Sequence, residues 1–251
     1  MSDTETNLLE NTLVGLAGIE QEVDQAERDA DIFRIKKTHP IYIKRRQLLL
    51  DVPKFWYIVI AQNEDFIDYI GPEDLKFLEF VKDIYVEYDV ATNDEATNPR
   101  DFSITFQFEA PHGEIAAQSV TKKFKTVMDE DNHEERLIST VASVEWPVEL
   151  ASITPHLIAD KTSAEGKKKY RLGMRSFFAW FKWTGLKPGK EFRNGEELTR
   201  LIVEELFPYA VKYYTEAVPG LNEDSEDESS EELDLSGEEE EEENATKKRK
   251  L

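Results

Sequence analysis

From Thr6 to Lys37 the chain holds no proline, and apolar residues recur at Leu9, Leu13, Leu16, Ile19, Val23, Ala26, Ala30 and Phe33. Steps of three and four residues place all eight on one stripe of an α-helix, with one slip from strict heptads. At about 1.5 Å per residue such a helix is roughly 48 Å long, more than the diameter of a domain of this size, so its seam needs a partner beyond its own core. Charge along the helix is uneven: Glu5 and Glu10 open it, Glu20, Glu22, Asp24, Glu27, Asp29 and Asp31 fill the middle, and Arg34, Lys36 and Lys37 close it. A parallel pair would set each charge beside its twin, whereas an antiparallel pair sets acidic start against basic end and opposes the helix dipoles. The pattern predicts an antiparallel homodimer through a dimerisation helix over residues 1–38, against the plainer alternative of a long helix folded back on its own domain.

Pro40 predicts a break, and the stretch from Ile41 to Ile70 reads as one or two shorter helices that enter the core through Leu48, Phe55, Trp56 and Ile60, parted at Pro53. The period then switches to two. Ile84, Val86 and Tyr88 alternate with polar positions, as do Phe102, Ile104, Phe106 and Phe108, then "SVTKKFKTV", then Ala142, Val144 and Trp146 in "STVASVEW". Four strands with turn-rich joints make an antiparallel meander. "SITPHLIADKTSAEGKKKY" reads as loop, while "MRSFFAWFKWTG" and "NGEELTRLIVEELFPYAVKYYTEA" are apolar at helical spacing and long enough to cover one face of the sheet. The fold class is α+β, with helices segregated to one side of a four-stranded sheet in a domain over residues 39–220.

Residues 222–243 hold 14 acids, no base and no aromatic, a composition that cannot bury enough surface to offset its ordering entropy. A disordered acidic tail is therefore expected over residues 221–251. The formal charge of the whole chain is −22, and the tail supplies fewer than half of the excess acids, so the folded part is acidic as well. Such a balance disfavours sequence-specific nucleic-acid binding, which needs cations against phosphates, and favours cationic partners held by exchangeable, salt-sensitive contacts. Cysteine is absent, which excludes disulfides, thiolate metal sites and a cysteine nucleophile and suits a reducing compartment. No leader pattern and no membrane-spanning run is visible, so no membrane partner is expected.

Catalytic signatures are missing. Histidine stands only at 39, 112, 133 and 156, all in expected loops or turns, and no HExxH or GxSxG occurs. "GLKPGKEF" is one residue short of a phosphate loop and has Glu191 where magnesium would need Ser or Thr; "DEDNHEERLIST" lacks the glycine and final glutamate of a calcium loop. No cofactor and no enzymatic activity are expected. The terminal Lys247, Lys248, Arg249 and Lys250 resemble a nuclear import signal, which predicts an import receptor as partner and the nucleus as location.

Several blocks together resemble the nucleosome assembly protein and SET family of histone chaperones: "HPIYIKRRQLLLDVPKFW", "DFSITFQFE", "SVEWP", "SFFAWFKW" and "EELFPYAVKYY", within a likeness that spans nearly residues 8–217. Two segments depart from the family pattern. Glu204 and Glu205 are followed by "LFPYAVKYY" instead of Trp-Pro-Asn-Pro, and "APHGE" replaces Asn-Pro-Tyr-Phe. With "EGKKKYR" and "WTGLKPGKEF" these variants look like the fungal branch that partners a histone acetyltransferase.

The resemblance implies a homodimer joined by the long helices, core histones, chiefly the tetramer-forming pair, bound under an acidic face, and stimulation of the partner acetyltransferase. By position, Glu204 and Glu205 match the acidic pair of that face and Glu196 and Glu197 an acidic spot just before it. Phe177, Phe178, Trp180 and Phe181 match an aromatic motif that reads as core. A competing reading is a dimeric acidic scaffold, or a DNA mimic that inhibits DNA-binding proteins.

Overall fold

The computed structural model describes residues 3–129, 134–147 and 154–218. The acidic segment expected over 221–251, the basic residues Lys247, Lys248, Arg249 and Lys250, and His133 lie outside the described residues.

Helix α1 runs from Asp3 to Leu49 with Pro40 inside it. The expected break at Pro40 does not occur. Proline removes one helical donor and crowds the carbonyl four residues back, at a cost of about 3 kcal/mol, but anchors on both sides of it hold the helix to the domain. Ile35 is buried before it. After it, the Tyr42 ring packs 4.9 Å from that of Phe207, the Arg45 guanidinium lies over Phe207 and donates to the Pro208 carbonyl at 3.1 Å, and Arg46 pairs with Asp83 at 2.6 Å. The chain turns at Leu50–Lys54, as Pro53 suggests, and Leu48 is 73% exposed, not a core residue.

Short helices α2 (Phe55–Gln62), α3 (Glu64–Ile67) and α4 (Leu75–Leu78) lead into the sheet. Its strands are β1 (Val81–Tyr88), β2 (Phe102–Phe108), β3 (Gln118–Met128) and β4 (Glu135–Ser139), in the order β1-β2-β3-β4 with every neighbouring pair antiparallel, and helix α5 (Asp89–Thr92) follows β1. The meander is the expected one, but its last strand lies earlier in the chain. Residues 140–147 are not strand. Ala142 donates its N–H to the Phe181 carbonyl instead, and buried Ala142 and Val144 pack into the core from an extended loop, which gives them the alternation of a strand without a partner strand.

The "SFFAWFKW" block forms a 3-10 helix, Phe177–Lys182, with five consecutive buried residues. A three-residue turn eclipses positions i and i+3, and the rings accordingly form two columns: Phe177 stacks on Trp180 at 6.0 Å and Phe178 on Phe181 at 6.5 Å. Against them lie Phe106, Phe108 and Phe124 of the sheet. Two polar side chains fix this block. Buried Asp74 accepts from Ser176 Oγ and from the backbone N–H of Phe177 and Gly71. Lys122, fully buried on β3, sends its ammonium to the carbonyls of Thr140, Phe181 and Trp183, and burial lowers its pKa to about 7.

Helix α6 spans Ala164–Gly173, in a stretch that reads as loop from sequence because its lysines hide the helical period. Helix α7 (Gly195–Arg200) passes into a π-helical turn, Leu201–Leu206, and helix α8 (Ala210–Ala217) closes the described chain. His39 lies in α1, not in a loop or turn, while His156 lies in a single 3-10 turn, Pro155–Leu157.

The junction of α1, α2 and β1 is the carboxylate of Asp83, whose side chain is 3% exposed. It accepts from Arg46 Nε at 2.6 Å and from Trp56 Nε1 at 3.3 Å. Asp83→Ala strands the buried indole N–H and frees Arg46, so urea unfolding is expected to show a loss of about 2–4 kcal/mol. A loss below about 1 kcal/mol would remove this carboxylate from the anchoring of α1.

Candidate functional site

The acids singled out from sequence come together on one stretch, α7 and the π turn after it. Its start is set by close packing: Asn194 takes a left-handed backbone (φ 57°), and a Cβ on Gly195 would lie 2.5 Å from Trp183 Cγ, so only glycine fits there. With the start pinned, Glu196 reaches the Leu137 N–H at 3.2 Å and covers the end of β4.

Buried positions along this stretch recur every fourth residue, at Leu198, Ile202, Leu206 and Ala210, with Thr199, Val203 and Phe207 beside them. In a regular α-helix, twelve residues at about 100° each overshoot three turns by about 120°, and one residue absorbed in a wide turn cuts the drift to about 20°. The π turn at Leu201–Leu206 does this, keeping the apolar face inward and Glu204 outward. A period of four in place of 3.6 was the sequence signal for it.

The four acids are not equivalent. Arg200 bridges two of them, donating to Glu196 at 2.9 Å and to Glu204 at 3.3 Å. Glu204 keeps a side chain that is 64% exposed. Glu205 is half-buried and accepts from Asn63 Nδ2 at 3.3 Å and from the Tyr213 hydroxyl. Glu197 is exposed. Sequence reasoning did not find Arg200, nor Asp65 and Asp68, which join Glu197 around Tyr69.

Tyrosines next to these acids register the negative field. Burial raises the Tyr69 hydroxyl, with Glu197, Asp68 and Asp65 adding to it. Burial pushes Tyr88 up to about 12, with Glu204 and Asp31 of α1 contributing and Arg34 opposing. Tyr213 is pushed up to about 12 by burial and by Glu205. Each phenol resists becoming an anion among carboxylates. Glu204 thus shares the surroundings of Tyr88 with Asp31 of α1, which is itself paired with Arg34 at 3.2 Å.

The seam of α1 is the second feature. Leu9, Leu13, Leu16, Ile19 and Val23 are 47–56% exposed and Phe33 is 64% exposed; Ala26 and Ala30 are exposed with them. Ile35, which docks on the domain, stands two residues after Phe33 and therefore about 200° around the helix. At Phe33 the seam thus points away from the docking face, and the exposure of the other seam residues shows that the domain leaves them bare as well.

The aromatic block is buried throughout, as expected: Phe177 and Trp180 at 0% exposure, Phe178 and Phe181 at 1%. Trp180 Nε1 donates to Thr199 Oγ1 at 3.0 Å and so ties the core to α7. Among the described residues no group of three or more His, Cys, Asp or Glu side chains could hold a metal ion, and no helix is long and apolar enough to cross a membrane.

Comparison with known proteins gives the same picture. The chain is 45% identical over 231 residues to vacuolar protein sorting-associated protein 75 of Saccharomyces cerevisiae, covering 91% of this chain and 87% of that one. It is 31% identical over 227 residues to a putative nucleosome assembly protein of Schizosaccharomyces pombe, covering 88% of this chain and 84% of that one. The crystal structure of the Vps75 histone chaperone superposes with a TM-score of 0.74 at 43% identity, over 82% of this chain and 98% of that one. The model of the nucleosome assembly protein (NAP) family matches residues 18–217. With the meander, the long first helix and the acidic surface of α7 in place, the chain belongs to the nucleosome assembly protein family.

Proposed function

We propose that this protein is a histone chaperone acting as an antiparallel homodimer in the nucleus. The observation that carries the reading is the outward acidic surface around Glu197 and Glu204, in a protein similar to a histone chaperone along most of its length. Core histones are cationic, and a field of carboxylates, each pair worth little alone, holds them reversibly and shields them from nonspecific contact with DNA. The tetramer-forming histones are the main cargo. The protein also presents them to an associated histone acetyltransferase and stimulates it, while contributing no catalytic group itself.

Dimerisation through α1 would cover an apolar seam that the domain leaves bare, with the acidic start of each helix set against the basic end of its twin. In sedimentation, Leu16→Glu combined with Val23→Glu is expected to give monomers; an unchanged dimer mass would refute the seam as the interface.

Glu204 and Glu205 separate the roles of binding and folding. Glu204→Lys leaves no buried group unpaired and is expected to weaken histone binding about three- to tenfold at low ionic strength, with the melting temperature within about 2 °C of the parent. Equal affinity for histones in titration calorimetry would remove Glu204 from the binding surface. Reversal at Glu205 would instead cost stability, because Asn63 and Tyr213 lose their acceptor.

The import reading rests on Lys247, Lys248, Arg249 and Lys250. Replacing all four by alanine should leave a fluorescent fusion outside the nucleus; unchanged nuclear accumulation would assign import to another segment or to a partner.

A further inference from the structure

Helix α6 is anomalous in an acidic protein. Residues 161–175 carry Lys161, Lys167, Lys168, Lys169, Arg171 and Arg175 against the single acid Glu165, in a chain of net charge −22. All six cations are exposed. Only Lys169 has a carboxylate within ion-pair distance, Glu165 at 2.8 Å. The others have no carboxylate partner among the described residues. Lys161 reaches back over the Tyr170 ring, 5.3 Å from its centre, and with Lys167, Tyr170 and Arg171 it lines a shallow hollow of about 400 Å³.

The cations are mounted rigidly. A Cβ on Gly166 would fall 1.8 Å from the Asp160 carbonyl, so the first turn of α6 is pressed against the preceding loop. The Asp160 carboxylate accepts from Thr162 and Ser163, and Ser163 caps the helix by accepting from the Gly166 N–H at 3.1 Å. Asp160 is thereby engaged in its own turn.

We propose that the acidic segment 222–243 of this chain docks on the cationic face of α6. Charge complementarity favours it over any separate polyanion: the segment bears 14 acids and no base, and belongs to the same molecule, whereas nucleic acid must approach against the net charge of the whole protein. Reach is sufficient. Residues 219–237 stand between the last described residue and the run of six glutamates, and nineteen residues extend to roughly 60 Å, beyond the diameter of a domain of this size. Docked there, the polyanion is partly neutralised, 14 acids against six cations, and becomes available only to a ligand that outcompetes the cations of residues 161–175. The contact does not depend on the chaperone reading.

Zero-length carbodiimide coupling of the full chain, followed by peptide mass spectrometry, tests it. At low ionic strength, links are expected from glutamates of residues 222–243 to Lys161, Lys167, Lys168 and Lys169, and they should vanish at about 0.5 M salt, where screening acts over about 4 Å. Arg171→Glu with Arg175→Glu leaves those four lysines in place and alters only exposed side chains. It is expected to lower the yield of these links about fivefold or more. Links confined to Lys247, Lys248 and Lys250, links spread evenly over all surface lysines, or a yield indifferent to the double reversal would each overturn the proposal. So would protection of the four lysines by added DNA or by an unrelated acidic protein to the exclusion of the chain's own glutamates.

Discussion

One buried carboxylate sets the geometry of the molecule. Asp83 accepts from the last part of α1 through Arg46 and from α2 through Trp56, and it sits on the edge strand β1. A buried charge left without partners is costly, so the three elements are locked in one arrangement rather than merely packed. Arg45, one residue earlier, runs across Tyr42 and Phe207 to the Pro208 carbonyl and adds the link between the π turn and α8 to the same joint. The direction in which α1 leaves the domain, and hence the direction its seam faces, follows from this joint.

The same joint explains where sequence patterns succeed and where they do not. The seam from Leu9 to Phe33 is legible because nothing but helical spacing governs it. Pro40 misleads because a local rule is weighed against a tertiary anchor that no local pattern shows, namely the pairing of residues beyond position 40 with β1 and the π turn. The first three strands read clearly through alternation. The fourth does not, since Ala142 and Val144 alternate inward from a loop whose hydrogen bonds go to the 3-10 helix, and the true strand at Glu135–Ser139 contains a single buried position, Leu137. Helix α6 is missed for the opposite reason: its exposed positions are mostly Lys and Arg and its two buried ones are Gly166 and Gly173, so no apolar stripe betrays it.

The acidic surface was legible in residue type and position but not in hierarchy. Glu196, Glu197, Glu204 and Glu205 read alike as carboxylates. In the fold one seals a strand end, one supports Asn63 and Tyr213, and two face outward. That partition comes from the π turn and from the glycine pressed under Trp183, features in which one residue of phase decides which acid points where.

Arg200 gives this surface a property beyond its charge. Held between Glu196 and Glu204, it is a counterion tethered to the surface it neutralises. An incoming guanidinium or ammonium must displace it, yet cannot expel it, because the backbone keeps it within a few ångströms of the vacated carboxylates. A cation bound to either carboxylate thus meets a competitor at high local concentration, and if this surface holds cargo as proposed, the same tether favours its release.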